Sequence, residues 1–201
     1  MPIDPDRLQR ALHDLATPPQ AIGWNHEELK DVIGDLRSPA AVLVPVLPQQ
    51  SGSTVLFTRR SKHLRHHAGQ ISFPGGRAET NDSDAIAVAL RETEEEIGIP
   101  ARHIKPIGYL DCCETISGFC ITPVVAYLDI GSIYKMDSME VEEIFEIPLK
   151  YFLDPNNLRR REIEFRGRAR KTYEFVFDRH VIWGATAAML VNLRDRLERV
   201  S

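Results

Sequence analysis

Residues 91–98 read Arg-Glu-Thr-Glu-Glu-Glu-Ile-Gly, and Phe73-Pro74-Gly75-Gly76 stands shortly before them. A glycine loop thus feeds a short helix that carries several carboxylates. Like charges one turn apart repel each other. A helix tolerates that crowding when a hard cation neutralises it, and oxygen ligands of this kind suit Mg2+ or Mn2+. A divalent cation beside a glycine loop points to phosphate chemistry.

The spacing predicts the helix in detail. Asp82 is the expected N-cap, with Asp84 in the first turn, where the helix dipole favours negative charge. Gly98 stands where a left-handed C-cap residue is expected. Ile86, Leu90, Thr93 and Ile97 recur at helical spacing as the buried stripe. Glu92, Glu95 and Glu96 fall together on the face roughly opposite. Ala85, Val88 and Ala89 flank that face and leave room for a substrate. Arg91 precedes Glu95 by one turn and can hold it in one rotamer. Most charge runs on helices are simply solvated faces. The order of glycine loop, capped helix and Arg-Glu-x-x-Glu-Glu-x-Gly sets this one apart.

These residues resemble a known signature. Gly76, followed by Arg91-Glu92-x-x-Glu95-Glu96-x-Gly98-Ile99, is similar to the Nudix box of the Nudix hydrolases. The resemblance implies hydrolysis of nucleoside diphosphates linked to another group, with Mg2+ or Mn2+. It implies that Glu92, Glu95 and Glu96 bind the metal with the Gly76 carbonyl, and that Arg91 orients Glu95. The box departs from the family pattern in two ways. The stretch between Gly76 and Arg91 is one residue longer, which leaves Asp82 or Ser83 where the middle acid is expected. Thr93 replaces an aliphatic residue.

A second stretch narrows the resemblance. Leu56-Phe57-Thr58-Arg59-Arg60-Ser61, Arg65, Gly69 and Phe73-Pro74-Gly75-Gly76 resemble the signature upstream of the box in Nudix coenzyme A pyrophosphatases, which share the longer box. Ile121-Thr122-Pro123-Val124-Val125 and Ile182-Trp183-Gly184-Ala185-Thr186-Ala187 look similar to the same subfamily, so the likeness spans residues 39–195. It implies cleavage of coenzyme A to 3',5'-ADP and 4'-phosphopantetheine. Arg59, Arg60 and Arg65, with Gly75, are the expected substrate-binding residues, since arginine meets phosphates through paired donors. An acid from a later loop is also implied, as metal ligand or general base. Glu140 is the first choice and Glu143 the second, and either Glu95 or Glu140 could take the proton from the attacking water. Alternative substrates are NADH, ADP-ribose or a dinucleoside polyphosphate. A binding module without catalysis is the other class.

Composition sets the outer bounds. A chain of 201 residues suits one well-packed domain. We expect a helix and extension over residues 1–38 packed on a single globular domain over residues 39–201. The formal charge of -4 leaves the basic segment 59–67 as a local contrast and disfavours nucleic acid as a partner. No apolar run approaches a membrane span, and the N-terminal residues lack a secretory pattern. Three cysteines with an adjacent pair do not make a disulfide framework, so a cytoplasmic location is expected. The expected assembly is a monomer or a homodimer.

Strands are expected over 40–47, 53–59, 104–110, 119–128 and within 140–149. A hairpin is expected over 159–165 and 172–177, turning at 166–168. Helices are expected over 4–17 and from 183 or 184 to 200. In the closing helix Ala187, Leu190, Leu193, Leu197 and Val200 form the buried side. The pattern implies an α+β chain. The Nudix resemblance implies an α/β/α sandwich with a mixed central sheet.

Overall fold

The computed structural model describes residues 4–33, 37–64, 66–129, 131 and 134–200. Its centre is strand β1 (Ser38–Leu47). Residues 41–47 are apolar and buried throughout, as expected of a strand covered on both faces. Ala41, Leu43 and Leu47 point into one apolar cluster, and Val42, Val44 and Val46 into another. A proline inside a central strand removes a ladder donor. Pro45 is accommodated because β1 changes neighbours there. Its first half pairs with β4 (Gly75–Arg77) and its end with β2 (Thr54–Arg60). Leu43 N–H donates to the Pro74 carbonyl on that edge at 2.8 Å, and Pro45 falls in the gap between the two partners.

On its other edge β1 runs parallel to β7 (Phe119–Leu128), which pairs antiparallel with β5 (Ile104–Tyr109) and β6 (Cys113–Glu114). β2 continues the sheet to β3 (Ile71–Ser72) and β8 (Val141–Pro148). The result is a mixed sheet of eight strands among the described residues. A parallel pair needs a long crossover, and the helix α3 (Ala85–Ile97) lies in the one between β1 and β7. It covers one face through Val88, Ala89 and Ile97. The other face carries α4 (Leu149–Leu153) and α5 (Ala185–Arg199), together with an antiparallel sheet of β9 (Leu158–Phe165), β10 (Arg168–Phe177) and β11 (His180–Trp183). This is an α+β sandwich with a mixed central sheet, as the resemblance implied.

Three expectations change. The first helix, α1 (Pro5–Arg10), is much shorter than residues 4–17. His13 exchanges both backbone hydrogen bonds with Tyr109, at 2.9 and 3.0 Å, and this bridge pulls the chain out of helical geometry. Leu15 is left exposed. The polar stretch after it contains a further turn of helix, α2 (His26–Leu29). In α5, residues 186–193 are buried on every side rather than along one stripe, because the helix lies between the main sheet and the β9–β11 sheet. The three cysteines are buried and unbonded, small strand-region residues as expected. Among the described residues no helix is long and apolar enough to cross a membrane.

Aromatic packing joins the sheet to the helical layer beneath it. Phe57 on β2 is fully buried and stacks on Phe73 at 5.1 Å and Phe145 at 5.8 Å, with Phe152 of α4 tilted against it at 5.6 Å. Phe57→Ala should therefore cost about 3–5 kcal/mol, read as a lower urea midpoint at unchanged slope.

Candidate active site

The glycine loop gains its shape from close packing. Gly75 has φ 154°, and a Cβ there would strike the Ala41 carbonyl and the Val42 backbone. Only glycine lets β4 press on β1 in this way. A Cβ on Gly76 would run into the Glu92 carboxylate, so Glu92 lies directly against the loop backbone.

The helix begins two residues later than expected. Asp84, not Asp82, is the N-cap, its carboxylate accepting from Ala87 N–H at 2.8 Å. Asp82 is instead a partner of Arg91, which donates through Nε and Nη2 to its two oxygens at 3.1 and 3.0 Å. Asp82, one of the two candidates for the middle acid, thus grips the arginine instead of capping the helix. Arg91 also donates from Nη1 to Glu92 at 2.9 Å and Glu95 at 3.0 Å, and from Nη2 to the Arg77 carbonyl at 3.1 Å. Gly98 closes α3 at φ 70°, as its position requires.

The carboxylates differ sharply in environment. Glu95 is exposed, Glu92 half-buried and Glu96 only 3% exposed. Glu96 therefore does not share a solvent face with Glu95. Val88 and Ala89 do not flank an open face either. They are buried against the sheet, whereas Ile86 and Leu90 of the expected stripe are only half-buried. The helix is rotated toward the glycine loop. Burial pushes the Glu96 carboxyl up to about 8, opposed by Arg60, and also raises Glu92. Arg60 Nη1 stands 3.5 Å from Glu96 Oε1, and Glu96 Oε2 has no hydrogen-bond partner.

Glu140 is brought to this cluster by backbone contacts. Asp137 N–H donates to the Glu96 carbonyl at 3.0 Å, Glu140 N–H to Asp137 at 3.0 Å, and Ser61 N–H to the Glu140 carbonyl at 2.8 Å. Its charge bears on both Glu92 and Glu96. Among the described residues no three His, Cys, Asp or Glu side chains are gathered as a metal-ion site, and Arg91 draws Glu92 and Glu95 to itself. The donor set nonetheless fits a hard cation. A buried carboxylate with an orphaned oxygen is costly, and Glu92, Glu140 and the Gly75 backbone all bear on it.

Beside the cluster opens a cavity of about 1090 Å³. Gly75, Gly76, Arg60 and Arg77 form its side toward the carboxylates. Trp183 and Met189 line it from β11 and α5, and Arg160 and Lys171 from the β9–β10 hairpin. The N-terminal extension lines it too, through Asn25, Glu28, Leu29 and Asp31.

Residues 37–129 match the NUDIX domain model. Over 193 residues the chain is 37% identical to an uncharacterized Nudix hydrolase, NudL, of Photorhabdus laumondii, covering 96% of this chain and 97% of that protein. The chain belongs to the Nudix hydrolase family. A NudL of Yersinia enterocolitica is 39% identical over 158 residues, 79% of this chain and 80% of that protein. Two solved structures share the fold. A MutT protein from Methanosarcina mazei has a TM-score of 0.50 at 19% identity, covering 84% of this chain and 95% of that one. A MutT/nudix family protein from Enterococcus faecalis has a TM-score of 0.51 at 14% identity, covering 83% and 64%.

In this Nudix hydrolase the basic residues of the upstream motif separate. Arg60 lines the cavity and Arg59 does not. Arg59 Nε donates to Glu143 at 2.9 Å, which Arg179 and His180 also hold at 2.6 and 3.2 Å. Glu143 is thus a structural anchor between β8, β2 and the β10–β11 turn. Arg65 lies outside the described residues.

Two groups escaped the sequence reading. Glu114, expected in a loop, has a fully buried carboxylate held by His26 Nδ1 at 2.8 Å and Gly23 N–H at 3.3 Å. Arg37 Nε stands 3.0 Å away. Asn25 exchanges two hydrogen bonds with the Glu114 backbone, each 2.9 Å. The other is the hairpin wall. Alternation signals the hairpin itself but not its place as a cavity wall, and nothing local signals the Glu114 clamp, since both placements depend on segments far apart in the chain.

Two predictions follow from this geometry. Gly76→Ala should displace the Glu92 carboxylate and cut catalytic activity severely. Its melting temperature should stay near the parent's, because the flexible end of a side chain gives way rather than backbone. Burial alone would raise the Glu143 carboxyl, yet Arg179, His180 and Arg59 together bring it down to about 2 from the ordinary 4.5. Its stabilising contribution is then present above about pH 4.5 and lost as pH falls toward 2. Glu143→Gln should flatten that part of a melting-temperature profile against pH.

Proposed function

We propose that this Nudix hydrolase cleaves the diphosphate of coenzyme A or its thioesters, yielding 3',5'-ADP and 4'-phosphopantetheine or its acyl derivative. The observation that carries the reading is one cavity with two kinds of wall. Gly75 and Gly76, with the Glu92 carboxylate packed against Gly76, form one side, and apolar and cationic side chains extend away from it. A cavity of about 1090 Å³ suits a long ligand with a nucleotide at one end and a pantetheine arm at the other. The resemblance over residues 56–76 favours coenzyme A over other diphosphates.

Glu92, Glu95 and Glu96, with the Gly76 carbonyl, would hold Mg2+ or Mn2+, and Glu140 stands beside them. Such a cation supplies charge neutralisation on the diphosphate and a more acidic water. The chain's own residues do the rest. Arg60, fixed against Glu96, reaches the cavity and can meet a phosphate oxygen. Arg91 holds Glu95 by one oxygen, and exposure leaves the other open to water. Glu95 takes the proton from the water that attacks phosphorus. Glu140, on its tethered loop, adds negative charge beside Glu92 and Glu96 and so strengthens their hold on a cation.

The test is chromatography of products after incubation with coenzyme A, NADH or ADP-ribose, with and without Mg2+ or Mn2+. Metal-dependent 3',5'-ADP from coenzyme A, well above turnover of the other two, is expected. Selective cleavage of NADH or ADP-ribose would refute the substrate and keep the chemistry. Glu95→Gln should lower kcat about a hundredfold or more with an unchanged melting temperature. Near-normal turnover in that variant would refute the assigned role.

A further inference from the structure

The cations that line the cavity are of two kinds. Arg60 is committed to Glu96 and Arg170 to Asp31, at 3.5 and 2.6 Å. Arg160 and Lys171 line the same cavity, and neither is paired with a carboxylate among the described residues. Arg160 is instead held by an aromatic ring. Its guanidinium carbon lies 4.0 Å from the centre of Tyr173. Tyr173 is itself immobilised, 8% exposed and stacked on Trp24 at 6.3 Å.

A guanidinium held over a ring by its face keeps its in-plane N–H donors free. It is positioned without being neutralised, which is the state an anion site needs. Lys171 stands beside it. Arg160 faces Tyr173 across the β9–β10 ladder, and Lys171 lies two residues before Tyr173. Arg160 and Lys171 are therefore diagonal neighbours on one face of the ribbon, about 7–8 Å apart at the backbone. Glu162 faces Lys171 in the register, but no ion pair joins them. The pair sits on the hairpin, not on the glycine loop beside the carboxylates.

We propose that Arg160 and Lys171 form a second anion subsite, which takes a phosphomonoester carried by the substrate away from the scissile diphosphate. The inference rests on the reading of the cavity as the substrate site. In coenzyme A the group of this chemistry is the ribose 3'-phosphate. The subsite selects substrates that carry it over NADH, ADP-ribose and 3'-dephospho-coenzyme A, which do not.

Calorimetry of the full chain with adenosine 3',5'-bisphosphate and with AMP, both without metal, tests the subsite apart from turnover. The parent should bind the bisphosphate about tenfold or more tighter than AMP, as a charge-assisted contact predicts. Arg160→Ala and Lys171→Ala should each bring the ratio toward one while leaving AMP affinity unchanged, and Arg160→Lys should retain part of it. In the same variants kcat/KM should fall for coenzyme A and hold steady for 3'-dephospho-coenzyme A. A parent ratio near one, or variants that weaken both nucleotides equally, would overturn the subsite. An intact ratio in a protein that does not cleave coenzyme A would support the subsite and refute the proposed reaction instead.

Discussion

Like-charge repulsion on α3 is the condition around which this structure is arranged. Glu92, Glu95 and Glu96 lie within a turn of one another, and Glu140 adds a fourth carboxylate from a separate loop. One guanidinium contains most of that strain. Arg91 donates to Asp82, Glu92 and Glu95 and to the Arg77 carbonyl. In doing so it ties the helix to the loop before it and to strand β4. The glycine at position 76 is a consequence, since any side chain there would meet the carboxylate that Arg91 holds in place. Gly75 follows in turn, because β4 can carry that loop only by lying flush against β1.

The buried member of the cluster balances differently. Glu96 is too enclosed to be relieved by solvent, and its single cation, Arg60, stands at the limit of contact. The low-dielectric surroundings that make this carboxylate costly in isolation also strengthen its grip on a positive ion. A strained, partly unsatisfied acid beside a tightly packed loop is a common mark of a site arranged for chemistry rather than for stability.

Much of this was readable in order and spacing. The apolar run of β1, the αL glycine at 98 and the reach of Arg91 to Glu95 are local consequences of local residues. The hairpin over β9 and β10 follows from alternation and a glycine turn. The misses share one cause, in that each depends on a partner beyond its own local segment. Asp82 is a sound N-cap by composition, but Arg91 competes for its oxygens and Asp84 takes the role. Glu96 looks like a surface charge until the loop at 135–140 closes over it. Arg59 stands beside Arg60 in the chain but points to the other side of β2, where Glu143 claims it. The helical period of residues 8–15 is real, yet the His13–Tyr109 bridge overrides it.

The Glu114 clamp has a consequence for where the folding unit ends. The region that matches the family model begins at residue 37. Yet a carboxylate buried inside that region draws its hydrogen bonds from Gly23 and His26, and its backbone is paired with Asn25. A buried charge stripped of its partners is far more costly than one never buried. The segment before the family signature is therefore not an appendage resting on a finished domain. It supplies hydrogen-bond partners to that region's interior, and the boundary drawn by family likeness runs through a connected polar network.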